Sequence, residues 1–239
     1  SASSLGHYTR AHQFSEFPSS NLTGIIQRVT YPVLCEIQDD DERLSNIYRR
    51  FLKLSAFVIF PLMIGLSSVA QPFVNIILGP QWGFCGQLLQ IICFSMMWYP
   101  IHSINLNLLQ VKGRSDLFLR LEIIKKILGV SVLCITAPFG LVVMCYGQIF
   151  NSIVALAINT YYTGKLINVG FLRQMCDLLP TMALCLTMFA LILSVNSFLP
   201  GNMAKLCVGI VLGVAFYSLA SYAFKFLELK ELLSLVRRK

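Results

Sequence analysis

The sequence predicts an all-α, polytopic membrane protein, and three observations carry that expectation. Hydrophobic residues make up 56% of the 239 residues and charged residues 13%, whereas a soluble domain carries about a quarter charged residues. Mean hydropathy is +0.70. Apolar runs of about 20 residues follow one another between Phe51 and Phe224, each able to cross a hydrocarbon core of roughly 30 Å, and the charges fall mostly between them. In lipid, backbone groups must pair within their own segment, so each run is expected to be a helix.

Taken in order, the spans are expected at 51–78, 84–111, 118–138, 140–163, 176–197 and 203–224, the second despite a polar insert. Gly79-Pro80, Pro138-Phe139-Gly140 and Pro200-Gly201 punctuate their ends. Pro61 and Pro100 fall inside spans and are expected to kink them. The acidic run Asp39-Asp40-Asp41-Glu42 reads as a solvated loop and helix start, since carboxylates favour helix N-termini.

Ahead of these spans lies a weaker segment, 14–36. Leu22, Ile26, Val29 and Val33 recur at helical spacing on one side, and Ser20, Gly24, Gln27, Arg28 and Tyr31 fill the other. The pattern suits either an amphipathic helix in the interface or a span whose polar side lines a wet cavity.

Basic residues set the orientation. Alternate loops carry Arg43, Arg49, Arg50 and Lys53; Lys112 and Arg114, with Arg120, Lys125 and Lys126 just beyond; Lys165 and Arg173; and Lys225, Lys230, Arg237, Arg238 and Lys239. The other loops contribute only Lys205. The positive-inside rule places the rich loops and the C-terminus in the cytoplasm. The tail from Lys225 alternates leucines with charges and reads as an interfacial helix. The formal charge of +8 does not point to nucleic acid, because the basic residues are divided among loops rather than gathered on one soluble face.

The polar groups inside the spans are the candidate site. Arg120, Glu122, Lys125 and Lys126 form the densest set, with Glu122 placed to pair with Lys125 at i+3 or Lys126 at i+4. They form either a snorkelling cuff or a cationic cavity wall for an anionic headgroup. Gln148, Asn151, Ala155, Asn159 and Tyr162 mark one stripe, suited to helix–helix hydrogen bonding or to cavity lining. His102, Asn105 and Asn107 interrupt the second span, with His102 and Asn105 on one face; His102 suits a structural hydrogen bond or a proton relay. The spans 176–197 and 203–224 hold few polar residues beyond hydroxyls and read as peripheral. Eight cysteines without a CxxC pair read as small buried hydrophobes. With no hydrolase elbow, phosphate loop, zinc signature or usable carboxylate pair, neither an enzyme nor a metal or other cofactor is expected. Asn21-Leu22-Thr23 matches a glycosylation sequon but falls in a candidate helix.

Several stretches, read together, resemble the polysaccharide-exporting branch of the multidrug/oligosaccharidyl-lipid/polysaccharide (MOP) flippase superfamily. Leu5-Gly6-His7-Tyr8-Thr9-Arg10-Ala11 is similar to that family's LGYYxRA element, with His7 replacing the first Tyr. Val29-Thr30-Tyr31-Pro32-Val33-Leu34 and the acidic loop follow, then Phe60-Pro61-Leu62, Leu78-Gly79-Pro80-Gln81-Trp82 and Gly113-Arg114-Ser115-Asp116 ahead of Arg120. The resemblance covers most of 5–165. It implies two pseudo-symmetric six-helix lobes around a central cavity, of which this chain is the second, lacking its first helix and followed by two extra helices. It implies three regions: 1–165 as a partial cavity-lining lobe, 166–228 as two peripheral helices, and 229–239 as a basic cytoplasmic tail. Under the same resemblance segment 14–36 is a span. The implied substrate is an undecaprenyl-diphosphate-linked oligosaccharide, moved across a bacterial inner membrane for lipopolysaccharide or polysaccharide biosynthesis. Arg28, Arg120, Lys125, Lys126, Asn151 and Asn159 are the expected substrate-binding residues, and Glu122 and His102 the candidates for coupling. The rival functions are a small-solute or drug antiporter of the same fold and a membrane-embedded glycan polymerase or transferase. The expected partners are the lipid-linked oligosaccharide, the membrane and a first lobe of the same protein. The opening Ser1-Ala2-Ser3-Ser4, without an initiator Met or a signal-peptide pattern, fits a piece of a longer chain, which alone is expected to be inactive.

Overall fold

A computed structural model describes residues 2–231. Arg237, Arg238 and Lys239 of the expected basic tail lie outside the described residues. The described residues contain no strand, and their main α-helices are α1 (Ala2–Glu36), α2 (Asp41–Ser68), α3 (Ala70–Ile77), α4 (Gly83–Met96), α5 (Tyr99–Val111), α6 (Ser115–Thr136), α7 (Leu141–Ile167), α8 (Phe171–Phe198) and α9 (Asn202–Ala223), with a further helical stretch over 227–231. Five helical stretches are long and apolar enough to cross a membrane: Asp41–Ser68, Pro80–Val111, Leu141–Ile167, Phe171–Phe198 and Asn202–Ala223. The sequence makes this a multi-pass membrane protein. At 22 residues α6 is long enough to cross, but it carries Arg120, Glu122, Lys125 and Lys126.

Two expected spans are each built from two helices. The run 51–78 breaks at Val69, and 84–111 breaks at Met97–Trp98, where Pro100 lies in the first turn of α5. The proline has no N–H to offer the preceding turn, so the break falls just ahead of it. Glycines lie in two of the connections: Gly79 at φ 96° and Gly140 at φ 99° adopt backbone that a Cβ would strain.

The core is centred on α2. Leu44, Tyr48, Leu52, Ala56, Ile59, Phe60, Met63 and Ile64 are fully buried along it, against α1, α4, α5 and α8. Its start matches the expected acidic cap: Asp40 Oδ1 accepts from the Arg43 N–H at 3.0 Å, and Asp41 and Glu42 occupy the first turn.

Segment 14–36 is part of the single 35-residue helix α1. Its buried side differs from the sequence expectation. Ala11, Ser15, Ser19, Thr23, Thr30 and Leu34 face the core, whereas Val29 and Ile25 are exposed. In lipid an apolar side chain gains little from a protein neighbour, while small residues let helices approach closely. The Ser/Thr stripe is therefore the packing seam against α4 and α5.

The last two helices differ from each other. In α9 only 11% of the apolar window is buried, compared with 56% in α2, so α9 is peripheral. By contrast, α8 lies along α2 and buries Gln174, Leu178, Thr181, Leu184, Cys185, Met188, Ile192 and Asn196. Gln174 and Asp177 at its start belong to the polar framework of the bundle.

Candidate functional site

A cavity of about 1040 Å³ opens between α1, α4, α5, α6 and α7. Along α6 its wall is formed by Phe118, Glu122, Lys125, Lys126, Gly129, Val130 and Leu133. Those positions recur at three- and four-residue intervals, so one helix face is presented throughout. The opposite face of α6 exposes Leu119, Ile123, Ile124, Ile127 and Ile135, as a helix bordering lipid would. Local packing holds α6 at its two ends. Near its start Leu117 and Leu121 cluster with Leu109. Near its end a Cβ on Gly147 of α7 would lie 2.9 Å from Thr136 Cγ2 and 3.1 Å from Val132 Cγ1. The cavity lies between these two contacts.

The charged groups of the wall are unevenly paired. Lys125 Nζ donates to Glu122 Oε1 at 2.5 Å, the i+3 partner expected from the sequence. Lys126 lines the cavity with no carboxylate partner among the described residues. Arg114, in the connection ahead of α6, donates to Asp116 at 3.0 and 3.1 Å, and that bond holds its guanidinium above its ordinary pKa. The net cationic charge facing the cavity from α6 is that of the Lys125, Lys126 and Glu122 set.

The opposite wall is amide and hydroxyl. It comprises Ser103 and Asn107 of α5, Gln148, Asn151 and Ser152 of α7, and Gln27 and Tyr31 of α1. Gln27 donates to Ser103 Oγ, tying α1 to α5. Three polar atoms of this wall are buried without a partner among the described residues: Asn107 Nδ2, Gln148 Oε1 and Asn151 Oδ1. A buried polar group without a partner costs roughly 1–3 kcal/mol, so these atoms suit a hydrated or ligand-filled space.

His102 also faces the cavity. Its Nε2 lies 3.0 Å from Ser152 Oγ, and its Nδ1 lies 3.2 Å from Asn159 Nδ2. Asn159, 1% exposed, stands behind the histidine rather than on the cavity surface. The stripe on α7 thus combines both of its expected roles: Gln148, Asn151 and Ala155 line the cavity, and Asn159 bonds across to α5.

Of the eight residues expected from the sequence, the structure brings Glu122, Lys125, Lys126, His102 and Asn151 to one cavity, with Asn159 supporting His102. Arg28 and Arg120 are exposed and lie outside this lining. On α1 the cavity takes Gln27 and Tyr31, one residue before and three residues after Arg28, which lie together to one side of it on the helix. On α6, Arg120 lies two residues before Glu122 and is rotated away from the cavity face.

A second polar centre was not anticipated from the sequence. Asn105, which shares a helix face with His102, turns instead into the core. Its Nδ2 donates to Gln174 Oε1 at 3.1 Å, while Gln174 Nε2 lies 3.1 Å from Asn105 Oδ1, Thr163 Oγ1 and Val169 O and 3.3 Å from Tyr48 OH. This node joins α2, α5, α7 and α8. A lone glutamine at the edge of an apolar run carried no signal of it.

Comparison with known proteins supports the sequence resemblance. The family model described as "Polysaccharide biosynthesis protein" matches residues 1–87. A membrane protein in the cps region of Klebsiella pneumoniae is 33% identical over 133 residues, covering 54% of this chain and 27% of that protein. The teichuronic acid biosynthesis protein TuaB of Bacillus subtilis is 24% identical over 221 residues, covering 90% of this chain and 46% of TuaB. The lipid II flippase MurJ in an inward closed conformation shares the fold, with a TM-score of 0.78 and 14% identity over 93% of this chain and 47% of MurJ. The chain thus spans less than half the length of each of these proteins. The matches bear out its likeness to the polysaccharide branch of the MOP flippase superfamily.

Proposed function

From that likeness in fold and sequence, we propose that the chain is the second lobe of a MOP-type flippase, followed by its two accessory helices. The whole protein would move an undecaprenyl-diphosphate-linked oligosaccharide across the bacterial inner membrane for lipopolysaccharide or polysaccharide biosynthesis. It is a transporter rather than an enzyme. Its partners are the lipid-linked sugar, the membrane and a first lobe contributed by the same protein. Residues 1–165 form the cavity-lining lobe, 166–228 the accessory helices and 229–239 a basic cytoplasmic tail.

The observation that supports this reading is the division of the cavity. One wall carries Lys125 and Lys126, and the other carries unpartnered amides. A diphosphate in a low-dielectric space needs long-stemmed cations as charge-assisted donors. Sugar hydroxyls need acceptors and donors such as Asn151 Oδ1 and Asn107 Nδ2. Lys126 and Lys125 hold the diphosphate, Glu122 sets the position of Lys125, Asn151 meets the glycan, and Asn159 acts through His102. Arg28 and Arg120 take part only where the first lobe extends the cavity to their side. A cation-coupled drug antiporter calls for a free intramembrane carboxylate, and Glu122 is already paired. Transport proceeds by rocking of two lobes about a mid-membrane site.

Export by the full-length protein tests the assignment. Lys126→Gln is expected to lower export at least tenfold at normal expression, Lys126→Arg to retain most of it, and Arg120→Gln to behave nearly as wild type. Full activity in Lys126→Gln would leave only a snorkelling role.

One geometric fact favours a second occupant. The lining runs along α1 from His12 to Tyr31, about 28 Å of helix, which is the length of a crossing helix. A helix from elsewhere in the whole protein could be seated there. Cysteines placed at Asn107 and Lys126 separate the two cases. They react with a small water-soluble maleimide if the cavity is open and are protected if a helix fills it.

A further inference from the structure

We propose that His102 is a proton-binding site whose occupancy is linked to anion capture by Lys125 and Lys126. The inference rests on the cavity assignment above and adds to it the ion that accompanies the anion.

The hydrogen bonds define the resting state. Asn159 Nδ2 has only hydrogens to offer, so His102 Nδ1, 3.2 Å away, presents its lone pair. The ring proton then sits on Nε2 and is donated to Ser152 Oγ at 3.0 Å. Ser152 in turn directs its own hydrogen toward the Ser95 carbonyl at 3.5 Å. This is a neutral imidazole with both nitrogens occupied.

Asn159 also holds the means to accept a second proton. Its Oδ1 is buried and has no partner among the described residues. Rotating the amide by a half-turn places that oxygen on Nδ1. The exchange is favourable once Nδ1 carries a hydrogen, and with the Nε2 hydrogen still on Ser152 that state is the imidazolium. Ser152 can accept from Nε2 in both states. Both ring nitrogens of His102 are therefore bonded in either charge state, and the unpartnered position on Asn159 passes from Oδ1 to Nδ2.

The charges around the cavity bias the balance between these arrangements. The titratable groups that share the cavity are Glu122, Lys125 and Lys126 on α6, His12 and Tyr31 on α1, and Tyr99 on α5. Glu122 is occupied by Lys125, and His12 pairs with Glu16 at 3.3 Å. Lys125 and Lys126 present a cationic surplus on a wall of the cavity that His102 also lines. An oxyanion bound by the lysines cancels that surplus and favours protonation. Linkage requires the reverse as well: a protonated His102 tightens anion binding by the same factor. Capture of a headgroup thus raises the fraction of His102 that carries a proton.

Sulfate is a suitable probe because it does not titrate near neutral pH. The full-length protein, labelled with carbon-13 at histidine and placed in phosphatidylcholine nanodiscs, reports the His102 protonation midpoint by NMR, with His102→Gln identifying the resonance. Bound sulfate is expected to raise the midpoint by about one pH unit. In the Lys125→Gln/Lys126→Gln double variant the midpoint should already be raised and should not respond to sulfate. Asn159→Asp, which supplies a permanent acceptor, should raise it without sulfate. A midpoint unmoved by bound sulfate overturns the linkage and leaves the cavity assignment standing. Failure of wild type to bind sulfate at all, measured by calorimetry, overturns the cavity assignment itself.

Discussion

Asp177 of α8 receives Arg49 of α2 through two parallel hydrogen bonds, Nε to Oδ2 at 2.6 Å and Nη2 to Oδ1 at 2.8 Å. Lys53, one turn further along α2, adds a third contact at 3.1 Å. The carboxylate side chain is 7% exposed and its arginine partner 31%, so the pair lies at the edge of the packed interface. It fixes the register of α8 along the central helix of the bundle.

Removing the carboxylate leaves two cations facing each other beside α8. Asp177→Asn is expected to destabilise the full-length protein by about 2 kcal/mol, a buried-pair loss reduced by the partial exposure of Arg49. Thermal unfolding in detergent should show a lower Tm, and Arg49→Lys should lose less than Arg49→Ala. An unchanged Tm in Asp177→Asn would mean that apolar packing alone holds α8.

Gln174→Leu should be costlier than its size suggests. The substitution removes the Gln174 bonds of Asn105, Thr163 and Tyr48 from a dry core, with an expected loss of about 1–3 kcal/mol. Because the node touches four helices, limited proteolysis should become faster in the connection 168–170 as well as in α8. Protection equal to wild type would contradict a shared role.

Gly147→Leu tests the hold on α6. Its side chain would occupy the space of Thr136 and Val132 and push α6 away from α7. A nitroxide pair at Ser131 and Met144, both away from the cavity, should report a separation increased by several ångström. An unchanged distance would show that the close approach is not required.

Topology follows from the loop charges. Cysteines near Lys112 and Lys165 should resist an impermeant reagent applied outside cells, and one near Pro200 should react. Labelling at Lys165 from outside would invert the assignment.

The crossings were legible because a bilayer imposes a length and an apolarity that few other structures require. The breaks at Gly79 and Gly140, the acidic cap at Asp40 and the Glu122–Lys125 pair were legible for the same local reasons. The packed face of α1 was not. Val29 looks like a core residue by the rules of water and is exposed here, while Ser19, which looks like a surface residue, donates to Met96 O at 2.8 Å in the seam. Hydropathy tells lipid from water but does not tell lipid from protein. The cationic cavity wall was legible at Lys125 and Lys126, but charge in an apolar run was not a sufficient signal, since Arg28 and Arg120 lie outside the lining. Gln174 escaped because its partners lie on three other helices, 11 to 126 residues away.

The Ser/Thr seam of α1 has a mechanical consequence. Ser15, Thr23 and Thr30 return their hydroxyl hydrogens to carbonyls of α1 itself. Only a few bonds, among them Ser19 to Met96, Gln27 to Ser103 and Gln148 to Tyr8, couple this helix to its neighbours. The seam therefore behaves as a bearing. Its small side chains keep their own hydrogen bonds while the helix slides or turns, and a displacement of α1 must exchange only those few couplings.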